Sequence, residues 1–270
     1  MKIIKSITVI LCCAGISLLA LNIYGLFRTM RNPEIYSEEN TTRADDISIK
    51  FADAKKELVR RPGETDKEFA IRANDVVHKS MIHYWRREGL DKYYMRVPVW
   101  ENYIIWINSL SKDEKRYEFK KYWKKNLERG VGLCSTHSLV LSGALRDNGI
   151  ESQFWCITRH VILRAKVGED EWYIMDPNYG LYIPHDRDEI LENTELVRPT
   201  YANMASLYKP GIETEYNADF LVEVYGSPGN RLYNYNYSYE IRAYRNKWLI
   251  PVLLVLPFLI YSLVNVIRNH

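Results

Sequence analysis

The sequence is poor in cysteine and in net charge. Four cysteines among 270 residues are too few for a disulfide scaffold. The formal charge is +3, and setting aside Lys2, Lys5 and Arg268 leaves 34 basic and 34 acidic residues between Arg28 and Lys247. This neutral middle gives no electrostatic footprint for nucleic acid. A composition of 47% hydrophobic and 26% charged residues excludes a disordered or collagen-like chain.

Charged side chains are missing altogether from two spans. Residues 6–27 and 248–267 run for 22 and 20 residues without Asp, Glu, Lys or Arg. A bilayer core of ~30 Å needs roughly 20 apolar helical residues, so each span predicts a transmembrane helix. The alternative for the first is a cleaved signal peptide, but its apolar run exceeds the usual ~7–15 residues and no clean small-x-small site follows. The alternative for the second is a buried core helix.

The two spans divide the chain into three parts. We predict an N-terminal anchor at residues 1–27, a working domain at 28–247 with its core at about 100–225, and a C-terminal transmembrane helix and tail at 248–270. This two-pass arrangement puts both termini on the same side of the membrane.

The flanking charges bear on which side that is. Lys2 and Lys5 favour cytoplasmic termini, whereas Arg28, Arg31 and Lys247 favour the reverse. The charge rule loses force for loops longer than ~60 residues. We expect an extracytoplasmic domain, because a short lysine-bearing tail is a common inside anchor.

Several elements of the middle can be predicted from local patterns. Residues 32–50 are polar with little period and predict a linker or an edge segment. The capping box Thr65-Asp66-Lys67-Glu68 predicts a helix of about five turns that ends near Gly89. Residues 100–110 predict a buried helix. A second capping box at 111–114 predicts a basic, aromatic helix that ends at Gly130.

The segment after residue 218 predicts a further hairpin. Its strands would be residues 219–225 and 231–241, joined by the turn Ser227-Pro228-Gly229-Asn230. Alternate residues of the second strand are tyrosines and would share one face. These are Tyr233, Tyr235, Tyr237 and Tyr239.

Cys134 is the candidate nucleophile. It lies where a turn containing Gly130 and Gly132 enters an apolar segment, residues 135–146, that predicts a buried helix. The N-terminus of a helix presents unpaired N–H groups and partial positive charge, which favour a thiolate and can bind a developing oxyanion. The alternative is a cysteine that only packs in the core.

His160 and Asp176 are the candidate base and orienting carboxylate. Gly168-Glu169-Asp170 separates two strand-like runs and predicts an antiparallel hairpin. His160 and Asp176 each lie eight residues from Gly168, so the hairpin sets them opposite each other within one step of register. Facing Cβ atoms are ~4.5–5.5 Å apart, which lets the carboxylate accept from one imidazole nitrogen and leaves the other for the thiol. We therefore predict a Cys134–His160–Asp176 triad.

A structural zinc site is the alternative interpretation of this region. The pairs Cys134-x2-His137 and Cys156-x3-His160 have ligand types and spacings that zinc accepts. Against zinc, His137 falls one turn into an apolar helix, and the set leaves Asp176 unused. We therefore expect neither a metal nor another cofactor.

Residues 129–180 resemble the transglutaminase-like superfamily, in particular its bacterial membrane-anchored members. The resemblance covers about one fifth of the chain and rests on Gly132-Leu133-Cys134 with the apolar helix after it, His160, and Trp172-Tyr173-Ile174-Met175-Asp176-Pro177. It implies an α+β fold with a papain-like core, in which a buried helix carrying Cys134 packs on an antiparallel sheet, here between two transmembrane helices. It also implies that Cys134 is the nucleophile, His160 the general base and acid, and Asp176 the orienting carboxylate.

The sequence departs from the papain pattern at the oxyanion donor. Its one glutamine, Gln153, follows the nucleophile, whereas the papain-type oxyanion glutamine precedes it. Asn102 and Trp100 are the candidate donors, and Trp106 and Trp123 are alternatives.

The combined prediction is a membrane-anchored, thiol-dependent acyl-transfer enzyme. Water would resolve the thioester in a peptidase or amidase, and an amine would resolve it in a transglutaminase. The alternative is a catalytically silent transglutaminase-like binding module at the membrane. Besides the lipid bilayer, the expected partners are peptide, lipoprotein, cell-wall or lipid-linked glycan substrates, and no nucleic acid is expected.

Overall fold

The computed structural model describes residues 2–37, 41–83, 89–110, 116–212 and 217–268. The chain forms two compact units. We call the first the helical unit, which comprises Met1–Thr29, Leu90–Tyr117 and Tyr237–His270. We call the second the sheet unit, which comprises Met30–Gly89 and Glu118–Asn236. The fold is α+β, as predicted.

The helices and strands follow one another along the whole chain. The helices are α1 Lys2–Leu26, α2 Phe51–Glu57, α3 Asp66–Ser80, α4 Tyr103–Leu110, α5 Lys124–Arg129, α6 Cys134–Asp147, α7 Arg187–Glu192, α8 Arg198–Tyr201, α9 Ala218–Tyr225 and α10 Ser238–Arg268. The strands are β1 Ile82–His83, β2 Val131–Gly132, β3 Ser152–Ile157, β4 His160–Lys166, β5 Trp172–Asp176, β6 Leu181–Ile183 and β7 Arg231–Tyr233.

The helical unit contains two helices that are long and apolar enough to cross a membrane. Their most apolar stretches have a mean hydropathy of 2.2 in α1 and 2.4 in α10. The two helices pack against each other, and a Cβ at Gly15 would lie 2.7 Å from the carbonyl oxygen of Pro251. Small residues at such a crossing let helix backbones approach closely in a membrane. The two predicted apolar helices are confirmed.

Helix α4 is shorter and less buried than the sequence predicts. It begins at Tyr103, after Asn102, whose side-chain oxygen accepts from the backbone N–H groups of Ile104 and Ile105 at 3.1 and 3.2 Å. Ile105 is buried, but Leu110 is 54% exposed. The prediction of a wholly buried helix over residues 100–110 is therefore wrong, because apolar content alone does not say how much of a helix surface is covered.

The sheet unit is built around a five-stranded antiparallel sheet in the order β6-β5-β4-β3-β7. Alternate residues of each strand point to opposite faces. In β3, Phe154 joins the core formed with α3 and α6, whereas Trp155 joins a second core with residues of α7, α8 and α9. The predicted hairpin of β4 and β5 is present, and α6 packs on β3 and β4. The helix that begins with Cys134 therefore lies on an antiparallel sheet.

Helix α3 begins as predicted and ends early. Thr65 and Glu68 form both bonds of the capping box. The helix stops at Ser80 rather than near Gly89, and Ile82 enters β1, where its N–H donates to the carbonyl of Gly130 at 2.9 Å. The parallel pairing of β1 with β2 thus replaces helix at residues 82 and 83, and residues 84–88 of the predicted helix lie outside the described residues.

The predicted basic helix before Gly130 is also shorter. Only α5 is helical in this region of the described chain, and the second capping box at 111–114 lies outside the described residues. Gly130 closes α5 with a left-handed backbone at φ 71°, which confirms the predicted end.

The predicted second hairpin is wrong. Residues 218–225 form α9, and Asn217 caps it by accepting from the N–H of Phe220 at 2.9 Å. The buried residues Leu221, Val224 and Tyr225 follow the spacing of one helix face. Strand β7 ends at Tyr233, and α10 begins at Ser238, so the four alternating tyrosines do not share a strand face.

Candidate functional site

Cys134 is the first residue of α6. Leu133 before it has an extended backbone and makes no side-chain cap, and the backbone N–H groups of Cys134 and Ser135 have no partner within the described chain. The thiol is half-buried. A Cβ at Gly132 would lie 2.3 Å from the Cβ of Thr136, so the chain enters the helix closely enough to require glycine. The partly accessible thiol therefore belongs to a helix start whose first two N–H groups have no partner among the described residues.

His160 and Asp176 are joined by a hydrogen bond. His160 is the first residue of β4 and Asp176 is the last of β5. The Nε2 atom of His160 lies 2.8 Å from Oδ2 of Asp176, and both residues are buried. Because an ionised carboxylate only accepts, the Nε2–H group donates.

The register of the hairpin brings these residues together diagonally. The ladder pairs Leu163 with Met175, and one further step would set Asp176 opposite Ile162. His160 lies two residues beyond that position on the same face, where diagonal side chains ~7–8 Å apart at the backbone remain within reach of each other. The sequence sets the two residues opposite each other within one step of register, and the ladder makes them a diagonal pair.

The side chain of Cys134 lies close enough to the His160 ring to favour its charged form. Since Nε2 faces Asp176, Nδ1 is the nitrogen left for the sulfur. Burial alone would lower the pKa of His160, but the charges of Asp176 and Cys134 outweigh it and raise the pKa to about 10. These interactions therefore favour the protonated form of the ring.

Asp176 has further partners that the sequence did not reveal. The hydroxyl of Tyr201 lies 2.9 Å from the same Oδ2 atom, and the N–H of Asn178 donates to Oδ1 at 3.2 Å. The hydroxyl of Tyr225 lies 2.9 Å from that of Tyr201. These tyrosines belong to α8 and α9, and no local pattern links them to residue 176.

An aromatic and a basic side chain pack in series near the His160 ring. The ring of Tyr179 lies 5.7 Å from that of His160, and the guanidinium of Arg43 lies 4.4 Å from the Tyr179 centroid. Arg43 is buried and donates to the carbonyl of Asn178. It belongs to residues 32–50, so the prediction of a linker or edge segment missed its packing beneath the site.

Glu118 is another residue near the site that the sequence did not single out. Its Oε1 atom accepts from the hydroxyls of Ser135 and Thr136, the latter at 2.8 Å. A carboxylate thus lies at the first turn of α6, next to Cys134. A negative charge there is favourable to the helix and unfavourable to a neighbouring thiolate.

The predicted oxyanion side chains have other roles or lie in the helical unit. Asn102 caps α4 through its oxygen, and Trp100 packs edge-on against Tyr94 with ring centroids 5.8 Å apart. Trp106 lies in α4. Trp123 donates its indole N–H to Asp147 at 3.1 Å, at the end of α6 opposite Cys134. Trp123 is therefore removed as a donor, and Asn102 and Trp100 remain predictions.

The residues of the alternative zinc site are not gathered as ligands. Nδ1 of His137 lies 2.9 Å from the carbonyl oxygen of Leu133, and Cys156 contacts the carbonyl of Ile157. Within the described ranges, no group of three or more His, Cys, Asp or Glu side chains is arranged to hold a metal ion.

Comparison with known proteins adds no assignment. No family model matches the chain, and no curated protein or solved structure matches it. The geometry of the site therefore carries the functional argument.

Proposed function

We propose that this protein is a membrane-anchored, thiol-dependent acyl-transfer enzyme of the transglutaminase-like type. One observation carries the proposal: the buried His160 ring bonds to Asp176 at 2.8 Å through Nε2, and the half-buried Cys134 lies close enough to interact with the same ring. A nucleophile, a base and a group that orients the base are the parts that covalent acyl transfer needs.

In the acylation step, the sulfur of Cys134 attacks an amide or ester carbonyl. Cationic neighbours stabilise thiolates, so the protonated ring of His160 prepares the sulfur for attack. The new C–S bond places negative charge on the carbonyl oxygen. As the carbon–nitrogen or carbon–oxygen bond breaks, His160 gives its proton to the leaving group, and a thioester remains on Cys134.

In the deacylation step, neutral His160 takes a proton from water or from an amine. The oxygen or nitrogen attacks the thioester, the C–S bond breaks, and the thiolate returns beside a protonated ring. Water makes the protein a peptidase or amidase, and an amine makes it a transglutaminase. Asp176 holds the ring in one orientation and stabilises its charged form in both steps.

Backbone groups at the start of α6 are the nearest oxyanion donors. The N–H groups of Cys134 and Ser135 have no partner among the described residues and belong to the positive end of a 14-residue helix. Donors of this kind act where charge develops on the carbonyl oxygen. Asn102 and Trp100 are proposed as additional side-chain donors.

The two apolar helices α1 and α10 support a membrane placement. We propose that both helices span the bilayer, with both termini cytoplasmic and the triad on the extracytoplasmic side. The short lysine-bearing N-terminus supports this direction. Tethering at both ends suits a substrate held near the bilayer, such as a lipoprotein, a cell-wall peptide or a lipid-linked glycan.

The chemistry is tested by trapping the acyl-enzyme. Full-length protein in native membranes is treated with an acyl-transferring electrophile near neutral pH, and modified cysteines are identified by peptide mass spectrometry. We expect an adduct on Cys134 that is lost in Cys134→Ala and strongly reduced in His160→Ala. Cys156→Ala is the matched control, because Cys156 is also half-buried in the sheet unit and should leave labelling unchanged. An unreactive Cys134 would contradict the enzyme and favour the alternative of a catalytically silent binding module.

The membrane placement is tested separately. Alkaline carbonate washing should leave the full-length protein in the membrane fraction, and recovery in the wash would contradict two spanning helices. Protease accessibility of the sheet unit in sealed vesicles of known orientation then assigns its side.

A further inference from the structure

The Oδ2 atom of Asp176 accepts two hydrogen bonds. One comes from Nε2 of His160 at 2.8 Å, and the other comes from the hydroxyl of Tyr201 at 2.9 Å. Tyr201 is fully buried and Asp176 is 1% exposed, so water does not share this oxygen freely. The carboxylate therefore divides its charge between the imidazole and a phenol.

The donor in each of these hydrogen bonds follows from which groups carry a proton. An ionised carboxylate has no proton to give, so Tyr201 must donate to Asp176. A phenol has one proton, so the 2.9 Å contact between the two tyrosine hydroxyls requires Tyr225 to donate to Tyr201. The bonds run from Tyr225 to Tyr201 to Asp176, which in turn accepts from His160.

The phenols of Tyr201 and Tyr225 both stay protonated near neutral pH. Burial, followed by the charge of Asp176, raises the pKa of Tyr201 well above its ordinary value. The same two causes, in the same order, raise the pKa of Tyr225. Each of these tyrosines therefore keeps its hydroxyl proton and remains a hydrogen-bond donor near neutral pH.

We propose that Tyr201 is a positioning residue for the triad: by donating to the Asp176 oxygen that accepts from His160, it limits how strongly that carboxylate holds the imidazole proton. This inference rests on the proposed function, since the proton concerned is the one given to the leaving group. A carboxylate oxygen that already accepts a bond from a donor attracts a second proton less. Tyr201 thus keeps His160 able to release its proton, and Tyr225 strengthens Tyr201 as a donor.

The other charged and titratable neighbours do not replace this contact. Tyr179 packs on the ring of His160 and lies beneath the guanidinium of Arg43. Cys134 acts on the ring of His160 itself and favours its charged form. The N–H of Asn178 reaches only the opposite oxygen, Oδ1, of Asp176.

The test measures the titration of His160 directly. Full-length protein in detergent is labelled with ¹⁵N-histidine, and the His160 resonances are assigned by their absence in His160→Gln. We expect Tyr201→Phe to move the His160 midpoint to higher pH by about one unit. The Nε2 proton resonance should also move downfield at neutral pH, because Asp176 becomes a stronger acceptor.

Tyr225→Phe is the matched variant. It removes a buried hydroxyl from the same cluster but keeps the bond from Tyr201 to Asp176. We expect a smaller shift in the same direction, and this variant carries the test if Tyr201→Phe does not fold, as judged by circular dichroism. An unchanged midpoint, or one that moves to lower pH, would overturn the inference.

The readout separates this inference from the proposed function. The titration of His160 needs no substrate and no turnover. Absence of an acyl adduct on Cys134 with a shifted titration in Tyr201→Phe would refute the enzyme while leaving the positioning effect in place. An adduct on Cys134 with an unshifted His160 titration would support the enzyme and refute the positioning role of Tyr201.

Discussion

Replacing Asp176 by asparagine should make Cys134 much less reactive at neutral pH. The substitution keeps the size of the side chain and an acceptor oxygen, but removes the charge 2.8 Å from Nε2 of His160. Burial already opposes the charged form of the ring, so His160 without this partner should be neutral at pH 7. A neutral ring no longer stabilises the thiolate.

The magnitude follows from the separation of the charges. Two unit charges ~4 Å apart interact by about 4 kcal/mol at an effective dielectric constant of 20. Each pH unit corresponds to about 1.4 kcal/mol, so the upper bound is a shift of ~3 units in the midpoint for forming the reactive ion pair. We expect the midpoint to rise by more than about one unit. The rise should stay below the upper bound, because the asparagine amide still orients the ring.

Alkylation of Cys134 reports this midpoint. Full-length protein in detergent is treated with iodoacetamide across a range of pH, quenched, and analysed by peptide mass spectrometry, with Cys156 as the internal reference. Asp186→Asn is the matched control, since Asp186 also pairs with a cation in the sheet unit, Arg164, and does not bond to His160. An unchanged profile in Asp176→Asn would refute the assigned electrostatics of the triad.

Three further outcomes test the structure. Glu118→Gln removes the carboxylate at the first turn of α6 and should raise the alkylation rate of Cys134 at neutral pH by a few fold, which the same assay measures; a slower rate would contradict the arrangement. Gly132→Ala should lower the free energy of unfolding by more than ~1 kcal/mol, because its Cβ would meet that of Thr136 at 2.3 Å, and chemical denaturation checks this against Gly229→Ala, where no atom lies within 4 Å of the added Cβ. Burial lowers the pKa of His137 to about 3, below its value in an unfolded chain. Stability should therefore fall as pH drops from about 6.5 towards 3, by up to ~1.4 kcal/mol per unit, and thermal unfolding of His137→Gln should show a shallower slope.

Some elements were predictable because neighbours in sequence determine them. The two charge-free spans, the capping box at Thr65 and the left-handed end of α5 at Gly130 each depend on a few adjacent residues. The pairing of His160 with Asp176 belongs to the same class, since a short hairpin turn fixes which residues lie near each other.

The errors arose where long-range packing decides between local alternatives. Residues 219–225 have an apolar pattern short enough to fit a strand or a helix, and burial of Leu221, Val224 and Tyr225 on one face selects the helix. The end of α3 is set by a strand pairing with Val131 and Gly132, which lie 49 residues along the chain from Ile82 and His83. Propensity could not anticipate that contact.

The sequence by itself determined which side chains form the site and where two parts of it lie. It placed the cysteine at the start of a helix, and the histidine and the aspartate on one hairpin. Only the tertiary structure decided what surrounds them. Tyr201 of α8 bonds to Asp176, Tyr225 of α9 bonds to Tyr201, and Glu118 reaches the first turn of α6, through contacts that no local spacing specifies. The physical reason is that covalent geometry orders residues near each other in the chain, whereas the surroundings of a buried charge depend on which distant elements the core brings against it.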